Sequence, residues 1–461
     1  MADLKDHIEK ALRKQVGTER PLTQYRFLLA VSGGVDSMVM AHLFLELGLS
    51  FGVAHFNFQL RGEASDQDAA LVEIFCRNHT IPFHVRSEDT YRTAEERRLS
   101  VQEAARHLRY QFFEEIGTSH RYDFVCTAHH AHDQLETFFI HLLRGSGLKG
   151  LSGIPPRRGN IIRPMLEIPL SEIERYAEKN RISFREDESN RSDAYLRNKI
   201  RIHITEPLIA WDDSVLTNAM KSIGFVSEAQ EFIEFHMKQF EKEYIHDPLP
   251  GIRWFDMGAP GILSDANRFL LREILRESGL YADSITHLLT DPLHHRTGSR
   301  FQGQEMDAYF DRGKIWLVQK DLFPSFEEEL EVAIDEPVRT PEGDIIRLQK
   351  AALDPDIFHW TMEIDPRQVT FPLVVRRWQP GDVIWQGKAP FFRKSVKKIL
   401  SENRIPFPFK DRVKILADAQ GQIISVLGFA KNTKVRVDEK EEGLRLGYQS
   451  EFWRKIGSGL D

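Results

Sequence analysis

The segment Ser32-Gly33-Gly34-Val35-Asp36-Ser37 lies between two apolar stretches of different kinds. Before it, Tyr25 to Val31 has the length of a buried strand. After it, Met38 to Leu47 carries apolar side chains at helical spacing. A chain that runs from a strand through two glycines into a helix leaves the first N–H groups of that helix unpaired, where the helix dipole adds partial positive charge. Such a turn is suited to an anion, and Ser32 and Ser37 add hydroxyl donors. Asp36 is the odd member, because a carboxylate beside a phosphate repels it unless a cation lies between. The loop therefore asks for a nucleotide phosphate together with Mg²⁺. The plainer reading is a Gly-Gly turn in which Asp36 or Ser37 caps the helix. The coincidence of strand, paired serines and acid favours phosphate. No Gly-Lys-Ser/Thr follows, and the glycine spacing differs from the dinucleotide fingerprint.

The chain has 461 residues, more than one ordinary core organises and enough for two or three domains. Charged residues make up 28% and apolar residues 41%, the balance of a soluble globular protein. No apolar run reaches membrane-spanning length, and Met1 to Lys14 mixes charges of both signs at helical spacing, unlike a secretory signal. Cys76 and Cys126 form no close-spaced motif, so a cytoplasmic protein without structural disulfides is expected. Formal net charge is −7, which gives no nucleic-acid signal for the whole molecule. Acid gathers at Glu327–Glu331 and Asp438–Glu442, base at Arg191–Arg201 and Arg393–Lys398. A local basic face is compatible with that total, although charge alone favours a solvated surface.

Strand-like runs near Phe27–Val31, Gly52–Phe58, Phe83–Arg86 and Phe124–Thr127 alternate with helical patterns at Ser65–Asn78 and Ser100–Ile116. In the latter, Ser100 and Glu103 have capping-box spacing. Alternation of this kind predicts an α/β fold, a doubly wound parallel sheet with helices on both faces. Ligands of such sheets bind at the carboxyl ends of the strands, where the Ser32 loop, His55 and His129 all fall. We place this catalytic domain at residues 1–213. Ser214–Tyr244 and Ala266–Glu277 read as helices with few strands nearby, which predicts a small, mainly helical middle domain at 214–340. From Pro341 the pattern turns to short apolar runs with frequent Gly and Pro, and a hairpin signal at Ala419–Gln422, which predicts a C-terminal α+β domain at 341–461.

A second informative segment is Thr127-Ala128-His129-His130-Ala131-His132-Asp133-Gln134-Leu135-Glu136-Thr137. Asp133 and Glu136 share one helix face. Three histidines beside two acids also suggest zinc, but no further Cys or His cluster completes a ligand set. The acids can otherwise bind a cationic substrate or hold Mg²⁺, or serve only to stabilise the helix N-terminus. Glycines after Arg144 can expose amides to phosphate or simply cap the helix. Arg106 and Arg109 lie one turn apart, and Arg197 and Arg201 repeat a helical spacing suited to a phosphate. Phe56 and Phe58 can stack on a base or belong to the core.

The Ser32–Ser37 loop resembles the SGGxDS signature of the PP-loop ATP pyrophosphatases, which cleave ATP between the α- and β-phosphates. With it, His129-His130…Asp133-Gln134…Glu136-Thr137 followed by Leu142-Leu143-Arg144-Gly145-Ser146-Gly147 resembles the tRNA(Ile)-lysidine synthetase family. Further agreement comes from His55-Phe56-Asn57 with Leu60-Arg61, from Asp187–Asn190 with Tyr195–Arg201, and from Val375–Asp382 with Lys394–Lys398 and Ile405-Pro406. Two departures stand out: His132 replaces a common Asp, and Trp378 replaces a basic residue. The resemblance implies an enzyme that adenylates the C2 oxygen of the first anticodon cytidine of a minor isoleucine tRNA with a CAU anticodon. It then joins free L-lysine through the ε-amine, releasing AMP and pyrophosphate.

On that resemblance Ser32, Gly33, Gly34, Val35, Asp36, Ser37, His55 and Asn57 are expected to bind ATP, with Asp36 on Mg²⁺. Asp36, Asp133 and Arg106 are the expected catalytic residues, and Asp133 and Glu136 are candidates for lysine or a second metal. Arg61, Arg144, Arg197, Arg201, Arg376, Lys394, Lys397 and Lys398 are expected to contact tRNA. A homodimer is also implied. The alternatives are a tRNA thiolase, a ligase acting on a small metabolite, and a non-enzymatic RNA-binding protein.

Overall fold

The structure is a computed structural model that describes residues 4–60, 62–185, 196–212, 214–324, 326, 328–388, 390–436 and 443–457. Arg61 and residues 186–195 and 437–442, which carry several expected features, lie outside the described residues. Two compact units divide at Phe232/Ile233.

In the first unit β1 (Arg26–Ala30), β2 (Ser50–Asn57), β3 (Phe83–Ser87), β4 (Phe124–Cys126), β5 (Arg157–Arg158) and β6 (Ile161–Ile162) form one sheet of order β3-β2-β1-β4-β6-β5. All neighbours are parallel except β5 with β6. The helices of this unit are α1 (Leu4–Val16), α2 (Val35–Glu46), α3 (Glu63–Asn78), α4 (Thr90–Arg97), α5 (Val101–Ser119), α6 (Ala131–Leu143), α7 (Leu148–Leu151), α8 (Leu170–Lys179), α9 (Leu196–Ile200) and α10 (Glu206–Trp211). Strand β1 explains why its sequence after Arg26 is an unbroken apolar run. Phe27 and Leu29 pack into the layer of α1, α2 and α8, while Leu28 packs into the opposite layer with Leu108, Phe112 and Phe113 of α5. Both faces are covered, so no polar alternation is possible.

The winding direction reverses between β1 and β4, where Leu29 pairs with Cys126. That reversal opens a crevice at the strand ends, and the loops after β1 and β4 border it. The Ser100/Glu103 capping box opens α5 as its spacing indicates. Helix α3 differs from expectation. It starts at Glu63 behind Gly62, whose φ is +53°, and not at Ser65.

The second unit corrects the reading of its middle segment. Helix α11 (Ser214–Tyr244), within which the division falls, is followed by β7 (His246–Leu249) and β8 (Ile252–Asp256), then α12 (Asp265–Glu277) and α13 (Ala282–Thr290). Next come β9 (Arg300–Phe301), β10 (Met306–Asp311) and β11 (Lys314–Gln319). These five strands make a sheet of order β7-β8-β11-β10-β9, so the segment is mixed and not mainly helical. Burial hid the strands. In β11, Ile315 packs against α12 and α13 while Trp316 packs against Phe409 and Phe452, leaving no polar alternation. From Leu330 to Gln449 short strands form separate sheets of five, four and two strands. The α/β class and the C-terminal sheets agree with the sequence reading. Among the described residues no helix is long and apolar enough to cross a membrane.

Ser100→Ala removes the cap of the helix that carries Arg106 and Arg109. Urea denaturation is expected to register a loss of about 1 kcal/mol with an unchanged m-value.

Candidate active site

The loop after β1 is tied by its own hydroxyls. Ser37 Oγ donates to Gly34 O at 3.0 Å and accepts from Ser32 N at 3.1 Å, and the two serine hydroxyls lie 3.2 Å apart. Gly33 has a φ of +96°, a conformation side chains rarely adopt. Its carbonyl accepts from Arg185 N at 3.0 Å, while Arg185 Nε pairs with Asp68 at 2.8 Å. The loop is thus braced from outside before any anion arrives.

Asp36 sits in the first turn of α2. Burial pushes its carboxyl up, partly opposed by His130. Its Oδ1 is buried and without a hydrogen-bond partner. A buried carboxylate oxygen left unsatisfied is costly, and it is the kind of hard donor that suits Mg²⁺ beside phosphates. His130 Nε2 stands 3.7 Å from both Asp36 Oδ2 and Asp133 Oδ2, between the two acids.

Across the crevice a cavity of about 200 Å³ has Ser32, Asp36 and Ser37 on one side and Thr127, Ala128 and His129 on another. Phe56, Phe58, Arg109 and Tyr110 also line it. Both phenylalanines therefore face the cavity, which the sequence left open. Of the two arginines on α5 it is Arg109 that reaches the cavity. Arg106 is exposed and lies over the Tyr110 ring at 4.9 Å, and Tyr110 itself lines the cavity. The resemblance singled out Arg106, but helical spacing alone does not say which turn meets the sheet edge.

His55 and Asn57 brace the site without lining the cavity. His55, buried and held below its usual pKa by desolvation, lies with Nδ1 2.9 Å from Val31 O. Asn57 donates to Asp66 and accepts from Gln59 N, so both ends of its amide serve the turn after β2.

Asp133 and Glu136 meet Arg197 and Arg201. Arg197 donates to Asp133 Oδ1 and Glu136 Oε2, each at 2.6 Å, and Arg201 donates to Glu136 Oε1 at 2.6 Å. The Glu136 side chain is 1% exposed, and both its oxygens are taken, which leaves no approach for a metal. Burial opposes the charge on Asp133. His130 and Arg197 outweigh it and hold the pKa below the ordinary carboxylate value. The arginines expected at RNA phosphates are thus partnered by the acids expected at lysine. Between α9 and α10 the helix opens into a π-turn over Arg201–Thr205, and Pro207 follows at the start of α10 without an N–H to continue the ladder.

The histidines do not converge on a metal, and no group of three or more metal-ligating side chains occurs among the described residues. His129 pairs with Thr127 Oγ1 at 2.8 Å, and desolvation lowers its pKa to about 4. His132 accepts from Leu170 N at 3.3 Å and is likewise lowered to about 4 by burial, so its departure from the family pattern supplies a neutral anchor for the start of α8. Gln134 exchanges two hydrogen bonds with Ile154, fixing the glycine-rich loop, while Arg144 stays exposed at the end of α6.

In the second unit the Arg376-Arg377-Trp378 motif is structural. Arg376 forks onto Asp382 at 2.9 and 3.0 Å, Arg377 reaches buried Glu342, and Trp378 Nε1 donates to Lys410 O at 2.7 Å. Arg376 is thus held by a carboxylate of its own turn, and Lys394 is paired with Glu402. Lys397 and Lys398 remain exposed on α14 (Val396–Glu402).

Residues 4–208 match the PP-loop domain family. Over 431 residues the chain is 30% identical to the tRNA(Ile)-lysidine synthase of Parabacteroides distasonis, covering 89% of this chain and 92% of that one. Over 438 residues it is 28% identical to the enzyme of the same name from Bacillus subtilis, covering 88% and 90%. A solved C-terminal domain of TILS aligns at 26% identity and a TM-score of 0.24, covering 27% of this chain and 97% of that one. The braced phosphate loop and the acid pair on α6 stand within a likeness that runs through both units. The chain belongs to the tRNA(Ile)-lysidine synthase family.

Proposed function

We propose that this protein adenylates the C2 oxygen of the first anticodon cytidine in an isoleucine tRNA with a CAU anticodon and replaces that oxygen with the ε-amine of free lysine. The observation that carries the reading is the single cavity that joins the phosphate loop of α2 to the loop before α6. As an ATP-using ligase that forms a C–N bond, the enzyme must make a poor leaving group into a good one. Attack of the cytidine oxygen on the α-phosphorus breaks the bond to pyrophosphate. Attack of the amine at C2 then breaks the C2–O bond and releases AMP with that oxygen. In this reading Ser32, Ser37 and the first N–H groups of α2 take the pyrophosphate oxygens. Asp36, with its unsatisfied oxygen, would hold Mg²⁺, which would supply charge neutralisation at the phosphates. Phe56 and Phe58 offer faces for a base turned out of its stack.

The lysine ammonium must lose a proton before it attacks, since its ordinary pKa is about 10.4. Asp133 is held ionised and is a weak base, so we assign it to positioning the amine and not to deprotonating it. In this reading Arg197 and Arg201 keep the two acids paired until a substrate cation shares them. Arg144, Lys397 and Lys398 are the exposed cations we assign to tRNA phosphates. The reading also carries a cytoplasmic setting and the homodimer that the resemblance implies. Sulfur transfer finds no support. Both cysteines are buried, and desolvation pushes the Cys76 thiol to about 12 and Cys126 well above its usual value, which leaves no nucleophilic thiolate.

Two outcomes test the chemistry and a third tests the buried histidines. Asp36→Asn is expected to lower kcat for lysine-dependent AMP release at least a hundredfold, with tRNA affinity changed less than about threefold by filter binding. Normal turnover would remove Asp36 from the metal site. Asp133→Asn is expected to raise KM for lysine while KM for ATP stays within about twofold; equal rises would show a general defect. Between the ordinary histidine pKa of 6.5 and about 4, His129 and His132 are protonated in the unfolded chain and neutral in the native one. Native stability must then fall as pH drops through that window. Urea midpoints measured from pH 7 to pH 4 should decline less steeply in His132→Gln than in the parent.

A further inference from the structure

One peptide unit of the phosphate loop is not oriented by its own sequence. The unit between Gly33 and Gly34 has a glycine on each side, so it rotates with little steric resistance. It is a trans peptide, hence its C=O and N–H point in opposite directions and fixing one fixes the other. The Gly33 carbonyl faces Arg185 and accepts from its backbone N–H at 3.0 Å. The Gly34 N–H, on the other side of the unit, is directed at Ser32 Oγ at 3.4 Å. That contact is long for a hydrogen bond, and it lies between the loop hydroxyls and the start of α2, where an anion would take over the N–H. A half-turn of the unit would instead present a carbonyl oxygen to the phosphates and repel them.

Two residues distant from the loop in sequence hold the unit against that turn. Arg185 lies beyond the end of α8. Its backbone supplies the N–H, and its Nε donates to Asp68 Oδ1 at 2.8 Å. Asp68 is buried on α3, whereas the Arg185 side chain is 40% exposed, so the acid is the fixed member of the pair. Asp68 also abuts the loop itself. A Cβ on Gly33 would lie 3.5 Å from both Asp68 Cβ and Asp68 O, ordinary contact. Glycine is needed at this position for its φ of +96° and not for lack of room. We propose that Asp68 and Arg185 are positioning residues for the pyrophosphate end of ATP. Asp68 anchors the guanidinium, the anchored Arg185 keeps its N–H on the Gly33 carbonyl, and the Gly34 N–H is thereby held facing the β- and γ-phosphates. In this role neither side chain touches the nucleotide. The proposal rests on the reading of Ser32–Ser37 as a phosphate loop and needs neither tRNA nor lysine.

The test uses the full-length protein with Mg²⁺ and without tRNA or lysine. Binding of ATP is compared with binding of AMP, which lacks the two phosphates concerned. Asp68→Ala and Arg185→Ala should each weaken ATP about tenfold, the order of one hydrogen bond to a charged group, while AMP affinity moves less than about twofold. Arg185→Pro removes the N–H itself and should lose at least as much for ATP. Asp68→Asn keeps an acceptor for Arg185 Nε and should restore ATP affinity to within about threefold of the parent. The double variant Asp68→Ala/Arg185→Ala should stay within about twofold of the weaker single variant, because the two residues act as one unit. Equal losses for ATP and AMP would reduce the pair to general support of the fold and overturn the proposal. So would unchanged ATP affinity in Asp68→Ala and Arg185→Pro, or losses that multiply in the double variant. Lysine-dependent AMP release by the parent protein is measured separately. A failure there would count against the lysidine chemistry and leave the ATP comparison standing.

Discussion

The parallel pairing of β1 with β4 is the constraint on which the site depends. Leu28 and Val125 meet in one layer, while Leu29 and Cys126 pair in register beside them. From this pair the winding runs to opposite sides, so two loops distant in sequence emerge together with no helix crossing between them. One loop leads into the first turn of α2, which carries Asp36, and the other carries His129 and His130. The separation of the two acids across His130 is a consequence of strand register, because each loop is only a few residues beyond its last ladder partner. A slip of one residue would turn Leu28 and Leu29 to the wrong layers and displace the loop as well.

A second constraint is electrostatic. Glu136 is almost wholly buried and two guanidiniums satisfy it, an arrangement that is costly to break on one side only. The four-membered cluster with Asp133 carries no net formal charge. Its two carboxylates are satisfied by the protein's own arginines. Arg197 lies on α9, and Arg201 opens the π-turn that follows it.

Much of the first unit was legible in the sequence. Buried parallel strands cannot alternate, so Phe27–Val31 and Phe124–Thr127 showed as plain apolar runs, and the Ser100 capping box announced its helix by spacing alone. The same rule misled the reading of 214–340. Strand β11 is also buried on both faces, and beside a 31-residue helix its apolar run did not separate from helical pattern. Basic motifs were harder still. Arg376 and Lys394 have the composition of a phosphate contact, yet each has a carboxylate close in sequence or across a turn that takes its charge.

The sequence by itself determined the chemistry of the phosphate loop. A strand, two glycines and a helix start fix the direction of the N–H groups locally, and the serines and Asp36 come with them. It also determined that Asp133 and Glu136 share a helix face. Only the tertiary structure decided what those acids hold, that Arg109 and not Arg106 reaches the cavity, and that Phe56 and Phe58 face it. The reason is physical: local spacing sets which side chains point together on one element, but partners are chosen by the packing of elements far apart in the chain.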